Sequence, residues 1–201
     1  MRIRSVLTAV VCVLATLVRP AYANPIAAGA RHTVINTPDG HVWVFGNNGN
    51  CQLGDGSSTD RKTPVQISNL SGVVAVAAVT LHSLALKSDG TVYAWGYNGY
   101  GELGDGTTFN RCSPVLVSLI SNVIAIAAGD NHSLALTSNG TVYAWGSNAY
   151  GQLGDGTTTN RNAPVAIGTL SSVTAIAAGV NHSLAVKSDG TSVRSASVSV
   201  K

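Results

Sequence analysis

A period of fifty residues, kept without a gap, governs this chain. Tyr93-Ala94-Trp95-Gly96 returns as Tyr143-Ala144-Trp145-Gly146. Leu53-Gly54-Asp55-Gly56 returns at 103–106 and again at 153–156. His32, His82, His132 and His182 occupy one repeat position, and segments 76–125 and 126–175 agree at about 30 of 50 positions. A fixed period of this size marks a repeat architecture, in which one unit cannot bury its apolar face alone and must stack on its neighbours. It also sets the reading of every motif, because a residue that recurs in each unit is first of all a building residue.

One unit reads as four short strands. Val76-Ala77-Ala78 is a small apolar run, and His82 to Lys87 is a second strand candidate. Val92-Tyr93-Ala94-Trp95 is a third, rich in β-branched and aromatic side chains. Asp89-Gly90 separates the second and third, as Asp39-Gly40, Asn139-Gly140 and Asp189-Gly190 do elsewhere. This is the signal of a tight hairpin with a type I′ turn. A long loop rich in Asn and Gly follows, and Pro114-Val115-Leu116-Val117 supplies a fourth strand with Pro at its start or on an edge. Four strands per unit at even spacing describe a propeller blade. Phe45, Trp95 and Trp145 share one position, that of a large residue wedged between blades.

The first 23 residues read as a secretory leader. Arg2 and Arg4 precede an apolar run from Val6 to Val18, then Pro20 and Ala21-Tyr22-Ala23, with cleavage expected before Asn24. That run is shorter than the roughly 20 residues a membrane span needs. An exported protein with no membrane attachment after cleavage, extracellular or periplasmic, is the expectation. Charge points the same way. The whole chain carries 12 basic and 9 acidic residues, but Arg2, Arg4 and Arg19 lie in the leader, which has no acid. What remains is 9 against 9, with no basic footprint for nucleic acid. Cys51 and Cys112 survive cleavage. Export permits a bridge, but the two occupy different repeat positions and neither recurs, so free thiols are the expectation.

The unit from Ala128-Gly129-Asp130-Asn131-His132-Ser133 through Val142-Tyr143-Ala144-Trp145-Gly146 to Gly151-Gln152-Leu153-Gly154 resembles the repeat of the regulator of chromosome condensation family. The likeness covers nearly all of 26–190. It implies a β-propeller, seven-bladed in that family. Here three full units, 26–75, 76–125 and 126–175, are followed by 176–190, which repeats two strands of a fourth, and by a divergent tail, 191–201. The expected fold is therefore all-β. It is a partial propeller of about three four-stranded blades plus a half blade, spanning 24–190, an open arc rather than a closed seven-bladed ring. The chain reads as a short exported bacterial-type member or a fragment.

Candidate sites weigh against this repetition. Four equivalent histidines invite a metal, but each begins a strand, where it is expected to satisfy local backbone groups. Asp55, Asp105 and Asp155 sit in loops too poor in acids for calcium and suit Asx-type turns. No metal, no cofactor and no catalytic constellation is expected, so the chain reads as a non-enzyme. What varies between units is the better guide. Asn47, Tyr97 and Ser147 share one loop position, Asn50, Tyr100 and Tyr150 another, and Phe109 stands where Thr59 and Thr159 do. These seven, Asn47, Asn50, Tyr97, Tyr100, Phe109, Ser147 and Tyr150, are the candidate partner-binding residues. The expected function is an exported module that binds a protein partner through propeller loops. An exported bacterial branch of the family that blocks β-lactamases through loop aromatics is its nearest analogy. The resemblance also implies an alternative, guanine-nucleotide exchange and chromatin association as in the family's founder, and a truncated fragment without function is a third reading. Open blade edges add self-association as an expectation.

Overall fold

The computed structural model describes residues 25–195, and its elements are all β-strands. The leader and the end of the tail lie outside the described residues. Sheet one holds β1 (Ile26–Ala28), β2 (His32–Asn36), β3 (Val42–Gly46) and β4 (Arg61–Gln66). Sheet two holds β5 (Val73–Ala78), β6 (His82–Lys87), β7 (Val92–Gly96) and β8 (Arg111–Leu116). Sheet three holds β9 (Val123–Ala128), β10 (His132–Thr137), β11 (Val142–Gly146) and β12 (Arg161–Ala166). Sheet four holds β13 (Val173–Ala178), β14 (Ser183–Lys187) and β15 (Ser192–Ser195). Each sheet is an antiparallel meander in chain order, and none closes on itself. The first strands touch in succession, β1 to β5, β5 to β9 and β9 to β13, so the sheets stack as blades of an open arc.

Among the described residues the last blade has three strands, where the sequence suggests two. The residues after Gly190 lack the aromatic pattern of the other units, yet β15 pairs with β14 in register from Ser183↔Ser195 to Val186↔Ser192. The Asp189-Gly190 turn returns the chain beside β14, and backbone pairing does not need the missing side chains.

The hairpins form where Asp-Gly and Asn-Gly stand, with a different turn. Within these turns only Gly40, Gly90, Gly140 and Gly190 have positive φ, near 80°. The residue before each does not, as a type I′ turn would require. Gly90 N–H donates to the Lys87 carbonyl and Lys87 N–H to that of Thr91, so a type I turn is closed by a left-handed glycine. The Asp89 carboxylate then accepts from Thr91 N–H (3.0 Å) and its hydroxyl. The fourth strands begin earlier than expected, at Arg61, Arg111 and Arg161. Pro114 is tolerated inside β8 because β8 is the outer edge and its pairing with β7 is shifted between Val115 and Arg111.

Among the described residues, three apolar cores lie between the blades rather than within them. The first buries Val34, Val44, Leu53 and Ile67 of blade one against Val76, Ala85 and Trp95 of blade two. The second repeats this with Leu84, Leu103 and Val117 against Ile126, Ala135 and Trp145. The third joins Leu134, Leu153 and Ile167 to Val173 and Ala185, with no aromatic residue among its buried members.

Candidate functional site

Each blade interface is braced by one repeated hydrogen-bond set. Ser83 Oγ donates to the Gln52 carbonyl (3.1 Å), and so does Trp95 Nε1 (2.9 Å). Ser133 Oγ and Trp145 Nε1 treat the Glu102 carbonyl in the same way, at 2.9 and 2.7 Å. Because each serine proton goes to a carbonyl, the histidine behind it must donate through Nε2. His32 pairs with Ser83 at 2.9 Å, and His82 with Ser133 and His132 with Ser183 at 3.0 Å. The histidines thus reach a side chain on the next blade, not local backbone as the sequence suggests. A repeat position fixes a residue within its own unit and says nothing of the neighbour it faces.

Burial depresses all three imidazoles, His32 and His132 to about 4 and His82 to about 3. They are neutral braces sealed from solvent. A Ser–His pair at hydrogen-bonding distance also suggests a nucleophile and its base. Here Ser83 and Ser133 are fully buried, and their protons point away from the imidazole.

The long loops after β3, β7 and β11 carry the candidate binding residues at one end of the blades. An Asn–Asp–Arg lattice fixes their shape. Asn98 Nδ2 donates to Asp105 Oδ1 (3.3 Å) and the Thr107 carbonyl (3.2 Å), while Asn98 Oδ1 accepts from Leu103 N–H (2.9 Å). Asn48 and Asn148 repeat the pattern. Asp105 Oδ1 accepts from Thr107 N–H and Oγ1, the Asx-type turn expected, and Oδ2 pairs with Arg111 (2.7 Å). Burial works against the charge, yet the Thr107 hydroxyl and Arg111 hold Asp105 below the usual carboxylate range. Asp55 and Asp155 pair likewise with Arg61 and Arg161. These carboxylates shape the loops. Among the described residues no three His, Cys, Asp or Glu side chains cluster as a metal site would need.

The seven candidate residues divide in two. Asn47 Oδ1 accepts from Gln52 Nε2 (2.7 Å) and its amide donates to Asp60, while Ser147 Oγ accepts from Gln152 Nε2 (3.2 Å). Asn50 is half-buried, its N–H donating to Gln52 Oε1 (2.8 Å). Tyr97 is half-buried and meets Tyr100 edge to face, with centroids 6.4 Å apart. Tyr100, Phe109 and Tyr150 stand out in solvent, at 44, 71 and 66 % exposure.

Two features escape a reading of the repeat. Cys51 and Cys112 form a disulfide, Cα–Cα 4.4 Å, contrary to the free thiols expected. The loop of one blade leans on the outer strand of the next, so a bridge between blades must join different repeat positions. The equivalent pair at the next interface is Gly101 and Asn162. There, Asn162 Nδ2 donates to the Gly106 carbonyl and Gly106 N–H to that of Asn162, both at 2.9 Å. The second feature is Glu102, which stands where Gln52 and Gln152 do. Its Oε2 accepts from Tyr100 N–H (2.9 Å), but its buried Oε1 has no partner. Burial pushes its carboxyl up to about 7.

Stacked four-stranded meanders with an indole, a histidine brace and an Asn–Asp–Arg loop in each interior unit define a partial propeller of regulator of chromosome condensation blades. The family model described as the RCC1-like domain matches residues 12–195, and the chain belongs to that family. The match begins inside the segment assigned above to a leader. No curated sequence matches significantly. Among solved structures the chain is similar to human WBSCR16, with 25% identity and a TM-score of 0.75, covering 84% of this chain and 46% of that one. It is similar also to yeast RCC1 (Prp20) bound to Kap60, with 26% identity and a TM-score of 0.72, covering 84% and 42%. Prp20p from Saccharomyces cerevisiae, described with its binding to Gsp1p and histones, shows 31% identity and a TM-score of 0.71, covering 84% and 43%. The chain thus spans less than half the length of these structures.

Proposed function

We propose that this chain is an exported, non-enzymatic interaction module that grips a protein partner through the loops at one end of its blades. The observation that carries this reading is the placing of three solvent-exposed aromatics, Tyr100, Phe109 and Tyr150, on loops whose shape is already fixed by the Asn–Asp–Arg hydrogen bonds. Large, rigid side chains on a fixed frame lose little entropy when they bind, which suits them as anchors. Prp20, a structural relative, binds protein partners. The disulfide between Cys51 and Cys112 favours an oxidising compartment and so supports export, as do the features of residues 1–23. Balanced charge outside the leader gives no support to a nucleic-acid partner.

A photocrosslinking residue placed at Phe109 or Tyr150 in the exported protein tests this. Capture of one partner protein at these loops, and none from a control label at Ser88 in the hairpin turn at the opposite end, is the expected result. Equal capture at both ends, or none at either, would remove the loops from the function. Intact mass of the exported form should begin at Asn24.

The open ends carry the self-association reading. Leu184 and Val186 of the last sheet and Ile26 of the first are exposed at 38, 39 and 59%. Light scattering across a hundredfold concentration range should show growing, heterogeneous oligomers, and a monodisperse species throughout would argue against it.

A further inference from the structure

In the repeat, Ser195 stands where Trp95 and Trp145 stand. Its Oγ donates to the Gln152 carbonyl at 2.7 Å, beside Ser183 Oγ, also at 2.7 Å. These are the two places that a serine and an indole N–H take at the Gln52 and Glu102 carbonyls. The hydroxyl therefore replaces the indole's hydrogen bond and leaves the indole's volume empty. A cavity of about 130 Å³ lies there, among Leu134, Val142, Leu153, Ile167, Leu170 and Ala185. Its floor includes Gly154. The equivalent Gly54 and Gly104 lie so close to Trp95 and Trp145 that an added Cβ would come within 2.6 and 2.8 Å of the indole. At Gly154 the nearest atom to such a Cβ is Ser195 Cβ, at 3.2 Å. Val193 and Leu184 at the margin keep 40 and 38% exposure, which opens a way in from solvent.

We infer that the cavity between the third and fourth blades is a binding site for a small, flat aromatic molecule of benzene to indole size. The two interior interfaces already show that this shape fits against a glycine floor and an aliphatic wall. An enclosed aliphatic cavity of about 150 Å³ takes up benzene, so this one, open on one side and mostly apolar in its lining, has the size for a ring. At the Gln152 carbonyl the polar groups are satisfied before any ligand arrives, since both serine hydroxyls donate to it, and Thr169 and Arg194 complete the lining. The ligand is therefore selected for shape and apolar surface and needs no N–H donor.

The probes are indole and indene, its carbon isostere, titrated into the full chain by calorimetry and by thermal unfolding. Both should bind one equivalent with affinities within about twofold of each other and raise Tm. Ser195→Trp should raise Tm without ligand and abolish binding of both. Ser195→Ala frees one position on the Gln152 carbonyl, and one net hydrogen bond should then favour indole over indene by about fivefold. Should Ser195→Trp fold poorly, methyl-labelled wild type gives a second readout. Indole should shift the Leu134, Leu153 and Ile167 methyls and leave those of Leu84 unmoved. Failure of either probe to saturate, binding that persists in folded Ser195→Trp, or shifts centred elsewhere would overturn the site.

Discussion

The interface between the second and third blades and the interface between the third and fourth use nearly the same sequence and reach different states. The inner one closes on Trp145, which is fully buried and bonded to the Glu102 carbonyl. The outer one keeps the serine brace, the carbonyl and the histidine, but Ser195 replaces the indole and the space stays open. The hydrogen-bond pattern thus survives the loss of the residue that filled the core. Polar bracing sets the register of one blade on the next, and the indole supplies apolar contact. The two are separable because one atom, Nε1, serves the first role and eight carbons serve the second.

The largest expected effect comes from making the inner interface resemble the outer. Trp145→Ser should keep a hydroxyl near the Glu102 carbonyl while opening a cavity, at a cost of about 3–5 kcal/mol by analogy with Trp truncation in cores. Urea unfolding monitored by far-UV circular dichroism measures this. A loss below about 1 kcal/mol would mean that the indole is not the wedge the burial indicates.

Both interfaces share one backbone bond, Gly56 N–H to the Cys112 carbonyl and Gly106 N–H to that of Asn162, and the first sharpens the contrast by adding a covalent tie where the second has only the Asn162 side chain on the Gly106 carbonyl. Cys51→Ser with Cys112→Ser should lower stability by about 2–4 kcal/mol, typical of a bridge closing a long loop. Removing the Asn162 Nδ2 bond to the Gly106 carbonyl by Asn162→Ala, which leaves the backbone bond between Gly106 and residue 162 in place, should cost about 1 kcal/mol or less. Similar losses from the two would show that the bridge merely replaces a hydrogen bond.

Titration distinguishes the interfaces next. Glu102 belongs to the inner one and Gln152 to the outer. A carboxyl raised from 4.5 to about 7 contributes stability below pH 4.5 and loses it as pH rises to 7. Glu102→Gln should therefore stabilise by up to roughly 3 kcal/mol at pH 8, with the gain vanishing near pH 4.5. The histidines act in the opposite sense. With folded values of about 4, 3 and 4, they contribute stability above 6.5 that is lost as pH falls. Near pH 5.5 the unfolded chain holds three more protons on His32, His82 and His132 and one fewer on Glu102. Two net protons give a fall of about 3 kcal/mol for each pH unit of acidification. Guanidinium midpoints between pH 5 and 8 check both slopes, and a flat profile would contradict the sealed histidines.

Much of this was legible in the fifty-residue period. It predicts four strands per unit, the hairpin positions, the interblade place of Trp95 and Trp145, and an arc rather than a ring. What it conceals is whatever depends on the next blade. His82 meets Ser133, and Cys51 meets Cys112, across offsets that a self-alignment in steps of fifty never pairs. The type I turn at Asp89-Gly90 was hidden for a local reason, since one positive φ or two fits the same dipeptide. β15 was hidden because strand pairing tolerates side chains that carry no repeat signature. The loop residues were legible as variable positions, but only the structure separates Asn47 and Ser147, held inward, from Phe109 and Tyr150, held out.

The finest test of the comparison uses two glycines that differ only in what lies over them. Gly104 and Gly154 both have positive φ, 66° and 71°, so alanine strains the backbone about equally at either. An added Cβ at Gly104 would lie 2.8 Å from Trp145 Nε1, against an indole that cannot retreat from a filled core. At Gly154 it would meet Ser195 Cβ at 3.2 Å with open cavity beside it. Gly104→Ala should therefore cost more than Gly154→Ala, by about 1–2 kcal/mol of overpacking beyond the shared strain. The decisive arm is the Ser195→Trp background. If an indole at 195 lies on Gly154 as Trp145 lies on Gly104, then Gly154→Ala should become as costly there as Gly104→Ala is in the wild type. An unchanged cost would mean that the outer interface accepts a tryptophan in some other pose, and that the cavity is not the inner site left empty.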